Sequence, residues 1–335
     1  MSIPVLDASN LADCPADLVS AFAEAYGTYG FAYITNHGIP SALIEGIFDA
    51  SKRFHAQPLA AKTAIAVDKN HRGYIAINTS TDVNSTLAEV TKPNQSASFM
   101  MMRDEPVDPA RFLSGPNQWP DLDNFRAPVE AYNTALTQLG QQLTRVALAA
   151  CNHNDTSGFE RPTTWLRLLH YPPVPEQSPD DLYGSAPHTD FGALTILLQD
   201  SVGGLQVRST KGEWIDAPPR QDAFIVNVGD MLHRMSNGKL RSTPHRVINR
   251  SGRERYSCPF FFDPDVAHTV APLPGTGPAR FAPIKFGDFC AANCRPAMTP
   301  TKKMLQSDRF APAPYPTPNH HRGQRTGCCR NPRRG

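Results

Sequence analysis

Cysteine, uncompensated charge and long apolar runs are all scarce in this chain. Its seven cysteines among 335 residues are scattered and odd in number, with no pair at zinc-ligand spacing. That excludes a disulfide framework and a zinc ribbon, and it fits a reducing compartment. No apolar run approaches the roughly 18 residues a membrane span needs, and the opening "MSIPVLDASN" lacks the charged and then apolar order of a secretion signal. Basic residues number 33 and acidic residues 31, so no broad basic face argues for nucleic acid. These absences predict a cytoplasmic protein with neither membrane nor nucleic acid as partner; they are compatible with a monomer and leave the oligomeric state open.

Proline, by contrast, is plentiful: 32 residues, about twice the average usage of roughly 5%. Many turns and extended connections follow. The basic excess sits at the end, where Arg322, Arg325, Arg330, Arg333 and Arg334 occur in 311–335 without an acid, leaving 28 of the 33 basic residues to face all 31 acids. Residues 1–120 read as mixed α/β, with a strand at Ile3–Asp7, a helix at Leu18–Tyr26, a strand at Gly30–Ile39 and a helix at Ser41–His55. From 67 to 119 periodicity fades among Gly, Pro, Asn and Ser, which predicts a lid and no core element. Residues 121–159 hold a long supporting helix, in which Val129, Tyr132, Leu136, Leu139, Leu143 and Val146 recur every three or four positions. Residues 160–265 are β-rich, with short runs between turn residues, the pattern of a sandwich or barrel. Residues 266–310 are expected to be helical around Lys285–Cys294, and 311–335 to form a disordered Arg/Pro-rich tail. The fold class is α+β with a mainly β core.

The strongest chemical signal is "SAPHTDFGALTILLQD", Ser185–Asp200. His188 and Asp190 stand two apart at the mouth of an apolar run, and residues i and i+2 of a strand share a face. An imidazole and a carboxylate are two parts of a 2-His-1-carboxylate iron site, which needs a second histidine. His233, His245 and His268 lie downstream, and His245, entering a strand after Pro244, has the most suitable setting. Arg255 and Ser257 are again two apart, offering a guanidinium fork and a hydroxyl to a carboxylate. Met100 to Met102 suit an irregular apolar pocket.

H-x-D, 54 residues, H, nine residues and R-x-S together resemble the 2-oxoglutarate/Fe(II) dioxygenases of the isopenicillin N synthase type. The flanking "TNHGI", "LLHYPP", "GGLQV", "VNVGDM", "SNGKLRSTPHRV" and "ERYSCPFFFDP" agree, and the resemblance runs from about Ile3 to Pro264. It implies a distorted double-stranded β-helix (jelly roll) flanked by helices. It implies that His188, Asp190 and His245 bind Fe(II), and that Arg255, Ser257 and Tyr171 hold the far carboxylate of 2-oxoglutarate. Leu169 stands where many relatives have Asn, a departure at the cosubstrate's near end. The implied cofactors are Fe(II), 2-oxoglutarate and O2, with ascorbate as an optional reductant. The implied reaction is hydroxylation or desaturation of a small-molecule substrate with release of succinate and CO2. The alternatives on this scaffold are an isopenicillin N synthase-like oxidase that uses no 2-oxo acid, an ethylene- and succinate-forming enzyme, and a non-enzymatic binding module. Phe191, Phe262 and Met101 are the expected pocket residues.

Overall fold

Alternation along the strands splits the apolar residues of this chain between two cores, one inside a pair of facing sheets and one under a layer of helices. The computed structural model describes residues 2–80, 87, 92–174, 178–179 and 181–298, with helix side chains to 293; the expected disorder of 311–335 lies outside them. In chain order the elements are β1 (Val5–Asp7), α1 (Ala16–Thr28), β2 (Phe31–Thr35), α2 (Ser41–Ala56), α3 (Leu59–Thr63), β3 (Gly73–Ile75), β4 (Ala97–Met102) and α4 (Arg126–Ala149). There follow β5 (Thr163–Tyr171), β6 (Ser185–His188), β7 (Leu194–Gln199), β8 (Leu205–Arg208), β9 (Trp214–Asp216), β10 (Ala223–Val228) and α5 (Asp230–Met235). The last are β11 (His245–Val247), β12 (Arg255–Asp263), β13 (Thr269–Val270), β14 (Ile284–Lys285) and α6 (Phe286–Met298). A large sheet runs in the order β1-β2-β10-β7-β12-β5-β4-β3, and a small one in the order β6-β11-β8-β9. No helix among the described residues is long and apolar enough to cross a membrane.

Register fixes which side chains of the large sheet face the small one. Residues opposite each other in a ladder share a face. One inward row reads Phe31, Asn227, Thr195, Phe261, Trp165 and Met102 across β2, β10, β7, β12, β5 and β4. The next reads Tyr33, Ile225, Leu197, Pro259, Arg167 and Met100. In the third, Gln199, Ser257, Leu169 and Ser98 stand opposite one another, and Arg255 pairs with Tyr171 beyond it. Phe31, Tyr33, Ile225, Leu169 and Tyr171 pack with Leu205, Val207 and Val247 of the small sheet, which identifies this face as the interior of the sandwich.

The opposite face carries Phe99, Ile196, Phe224, Phe260 and Phe262 and is covered by α2 and α4. Helix α4 buries the stripe Val129, Tyr132, Leu136, Leu139 and Leu143 that its sequence spacing predicts. It comes close because Gly140 has no side chain: a Cβ there would lie 2.5 Å from a ring carbon of Phe262.

The region 67–119 is not a lid throughout. β4 is buried along its whole length and pairs with β5 at six positions. Both of its faces are covered, so ASFMMM shows no polar alternation, and its sequence gives no strand period to detect.

Candidate metal centre and carboxylate clamp

β6 and β11 pair antiparallel with His188 directly opposite His245, so the two rings lie 4.3 Å apart centre to centre. Asp190 belongs to neither strand. It lies in the short connection that leaves the small sheet at the end of β6 and enters the large sheet at β7. The expectation of a pair sharing one strand face is corrected accordingly: His188 and Asp190 meet across a crossing between sheets. Asp190 Oδ1 is 3.6 Å from His188 Nε2 and 3.6 Å from His245 Nε2. Among the described residues, this is the one group of three potential ligands whose donor atoms all lie within 4.8 Å of one another.

The hydrogen bonds around the triad prepare its donor atoms. His188 Nδ1 is 2.7 Å from the Ala186 carbonyl, and His245 Nδ1 is 3.2 Å from the Thr243 carbonyl. A carbonyl only accepts, so each Nδ1 carries the proton and each Nε2 is left with its lone pair toward the shared centre. Asp190 Oδ2 accepts hydrogen bonds from Thr195 Oγ1 at 2.5 Å and Asn227 Nδ2 at 2.7 Å, while Oδ1 faces the histidines. Burial alone would raise the Asp190 carboxyl. The positive charge that His245 and His188 carry when protonated, with the Asn227 bond, outweighs that effect and holds it below the ordinary carboxylate range. The donor set fits a divalent iron: two neutral imidazole nitrogens and one ionised carboxylate oxygen. His233 and His268 do not join it; the His233 ring instead bonds to the Leu240 carbonyl.

The neighbouring backbone is shaped to this centre. A Cβ on Gly192 would fall 1.7 Å from Asp263 Oδ1, so only glycine lets the chain pass between Asp190 and β12. Asp263 accepts the Ala193 N–H at 2.7 Å, and burial pushes its carboxyl up to about 7 against that bond.

Further along the inward face, Arg255 is fully buried. Its Nε donates to the Gly203 carbonyl at 2.5 Å, one terminal nitrogen to Ser257 Oγ at 3.2 Å, and the other to Gln199 Oε1 at 3.3 Å. The guanidinium lies 4.5 Å from the centre of the Tyr171 ring. These recorded polar partners are all neutral. A buried cation satisfied by neutral oxygens is costly unless an anion completes it, and this corner offers such an anion a guanidinium and the Ser257 hydroxyl. Arg255, Ser257 and Tyr171 are therefore together, as expected.

Two of the expected pocket residues are elsewhere. Met101 stands opposite Leu166 and, two residues from Phe99, faces the helices; Met100 and Met102 take the inward face. Phe262 also faces outward, stacked 5.9 Å from Phe159 and against Gly140 of α4, while Phe261 faces inward. In both cases an offset of one residue changes the face. Phe191 lies edge-on to Phe289 of α6 at 5.8 Å. Thr195 and Asn227 were missed from the sequence. Their signal was present: each is a lone polar residue in an otherwise apolar buried strand, "LTILL" and "FIVNV".

The comparisons with known proteins agree with this geometry. The family model described as "2OG-Fe(II) oxygenase superfamily" matches residues 162–264, and that of "non-haem dioxygenase in morphine synthesis N-terminal" matches 3–122. A 2-oxoglutarate-Fe(II) type oxidoreductase of Emericella nidulans is 37% identical over 299 residues, covering 82% of this chain and 83% of its own. A full-length Neurospora crassa protein solved with alpha-KG superposes with a TM-score of 0.78 at 28% identity, covering 88% of this chain and 96% of its own. The same protein has been solved with alpha-KG and thymine. JOX2, solved with 2OG, Fe and JA, gives a TM-score of 0.73 at 26% identity and covers 90% of both chains.

Proposed function

This chain belongs to the 2OG-Fe(II) oxygenase superfamily, and from that premise we propose that His188, Asp190 and His245 hold the iron and that Arg255, Ser257 and Tyr171 hold the far carboxylate of 2-oxoglutarate. The protein is a 2-oxoglutarate-dependent dioxygenase whose cofactors are Fe(II) and 2-oxoglutarate, with O2 as the oxidant. The observation that carries the residue assignment is the convergence of His188 Nε2, His245 Nε2 and Asp190 Oδ1 on one centre. When bound, iron supplies the activation of O2, coupled to conversion of 2-oxoglutarate to succinate and CO2.

The chain's own residues do the rest. Ala186 and Thr243 fix the tautomers of the two histidines, and Thr195 and Asn227 fix the carboxylate. Arg255 supplies a rigid fork for an anion, and the closely packed sandwich keeps bulk water from it. The substrate is a small molecule that is hydroxylated or desaturated. The thymine and JA bound by the solved relatives support that class. A cytoplasmic setting is supported by Cys14, Cys151 and Cys258, which stand as free thiols.

Relatives named for 2-oxoglutarate set aside the oxidase without a 2-oxo acid and the binding module. Anaerobic addition of Fe(II) and 2-oxoglutarate should produce a visible charge-transfer band, and oxygen uptake should require both. Replacing His188 or Asp190 with Ala should abolish the band and the succinate release; a variant that still turns over would refute the ligand assignment. Headspace ethylene in the same assay tests for the ethylene-forming alternative.

A further inference from the structure

Inward-facing residues of a sandwich are ordinarily buried between its sheets. In and beside the row that holds Thr195 and Asn227, three are not. Leu197 of β7, Phe261 of β12 and Arg167 of β5 keep partial exposure although their register turns them inward. The His188 side chain, on the opposite sheet, keeps 25% exposure. Partial exposure on an inward face marks the place where the interior opens, and here it opens beside the iron ligands.

The chemistry of that opening is uneven. In the row Tyr33, Ile225, Leu197, Pro259, Arg167 and Met100, Arg167 is the one charged residue. Its Nε and one terminal nitrogen point at the buried Ser98 hydroxyl, at 3.3 and 2.9 Å, so the guanidinium is oriented before any ligand arrives. Phe261, opposite the buried Trp165 in the adjoining row, is partly exposed and presents aromatic surface. Arg255 serves the other end of the same face: it stands opposite Tyr171, four residues along β5 from Arg167, about 13 Å along the strand.

We infer that Arg167 is the specificity-determining residue of the primary-substrate pocket, and that the substrate is a small planar molecule bearing a carboxylate or comparably anionic oxygen that Arg167 binds. An oriented guanidinium recognises a planar anion through paired, charge-assisted hydrogen bonds, and aromatic walls suit a flat apolar body. The inference rests on the iron and 2-oxoglutarate assignment made above.

The test uses full-length protein loaded anaerobically with Fe(II) and 2-oxoglutarate. Benzoate and nicotinate are titrated against benzamide and nicotinamide, following the charge-transfer band, and succinate release is then measured in air. The wild type is expected to respond to the acids at roughly tenfold lower concentration than to the amides. Arg167→Gln should erase that preference while affinity for 2-oxoglutarate changes by less than about threefold, and Arg167→Lys should restore part of it. A wild type that treats acids and amides alike, or answers to neither, overturns the inference. So does Arg167→Gln weakening 2-oxoglutarate roughly tenfold, which would assign Arg167 to the cosubstrate. Absence of the charge-transfer band from the wild type is a separate result, and it would refute the iron and cosubstrate assignment itself.

Discussion

Single residues decide what the centre can hold. Thr195 and Asn227 occupy one oxygen of Asp190 and leave the other facing His188 and His245. Thr195→Val removes one of those donors at almost constant volume, and Fe(II) affinity should fall about 10- to 100-fold in an anaerobic titration. Arg255→Gln should raise the KM for 2-oxoglutarate by a similar factor, since a charge-assisted bond to a carboxylate contributes about 1.5–3 kcal/mol; steady-state succinate assays read this directly. At this scale the sequence was informative about chemistry and silent about facing. The spacing of His188, Asp190, His245, Arg255 and Ser257 was enough to propose a site. Met101 and Phe262 were misplaced because strand register, which turns each side chain inward or outward, is set by partners far along the chain.

Whole elements were legible where their amphipathic period is long. Helix α4 matches its predicted stripe because six buried positions repeat over many turns. β4 was not legible, being apolar on both faces. β6 has four residues and β11 three, too short for alternation to register, and the i, i+2 argument for His188 and Asp190 failed in detail because β6 ends at His188. The contact between α4 and β12 offers a direct test of element packing. Gly140→Ala places a methyl group against the Phe262 ring, where only a shift of helix or ring makes room. Overpacking of this kind costs about 1–3 kcal/mol, and thermal or urea unfolding should show the loss even though alanine favours a helix.

The strand order of the two sheets, by contrast, was available only through the family resemblance; nothing in the chain's periodicity says that β12 lies between β7 and β5. The interface between the helical layer and the large sheet also governs how the protein as a whole responds to acid. His55 of α2 is buried against β5, where its Nε2–H donates to the Leu168 carbonyl at 2.9 Å. Burial, with His170 and Lys62 adding to it, lowers the His55 pKa from 6.5 to about 3, and burial lowers that of His170 too. In the unfolded chain His55 binds a proton below about pH 6.5, and in the fold it does not. Its contribution to stability is therefore complete above pH 6.5 and is lost as pH falls toward 3, with a slope of at most about 1.4 kcal/mol per pH unit. His55→Gln keeps a donor for Leu168 without the titration, so its melting temperature should vary less with pH between about 4 and 6 than that of the wild type. Finally, the two sheets divide the work. Both histidines proposed to bind iron are on the small sheet and Asp190 is on the passage between sheets, while the proposed clamp and Arg167 are on the large one. An inherited change in β4, β5 or β12 can thus re-aim this enzyme at a new compound while the oxidising machinery passes unaltered to the descendant.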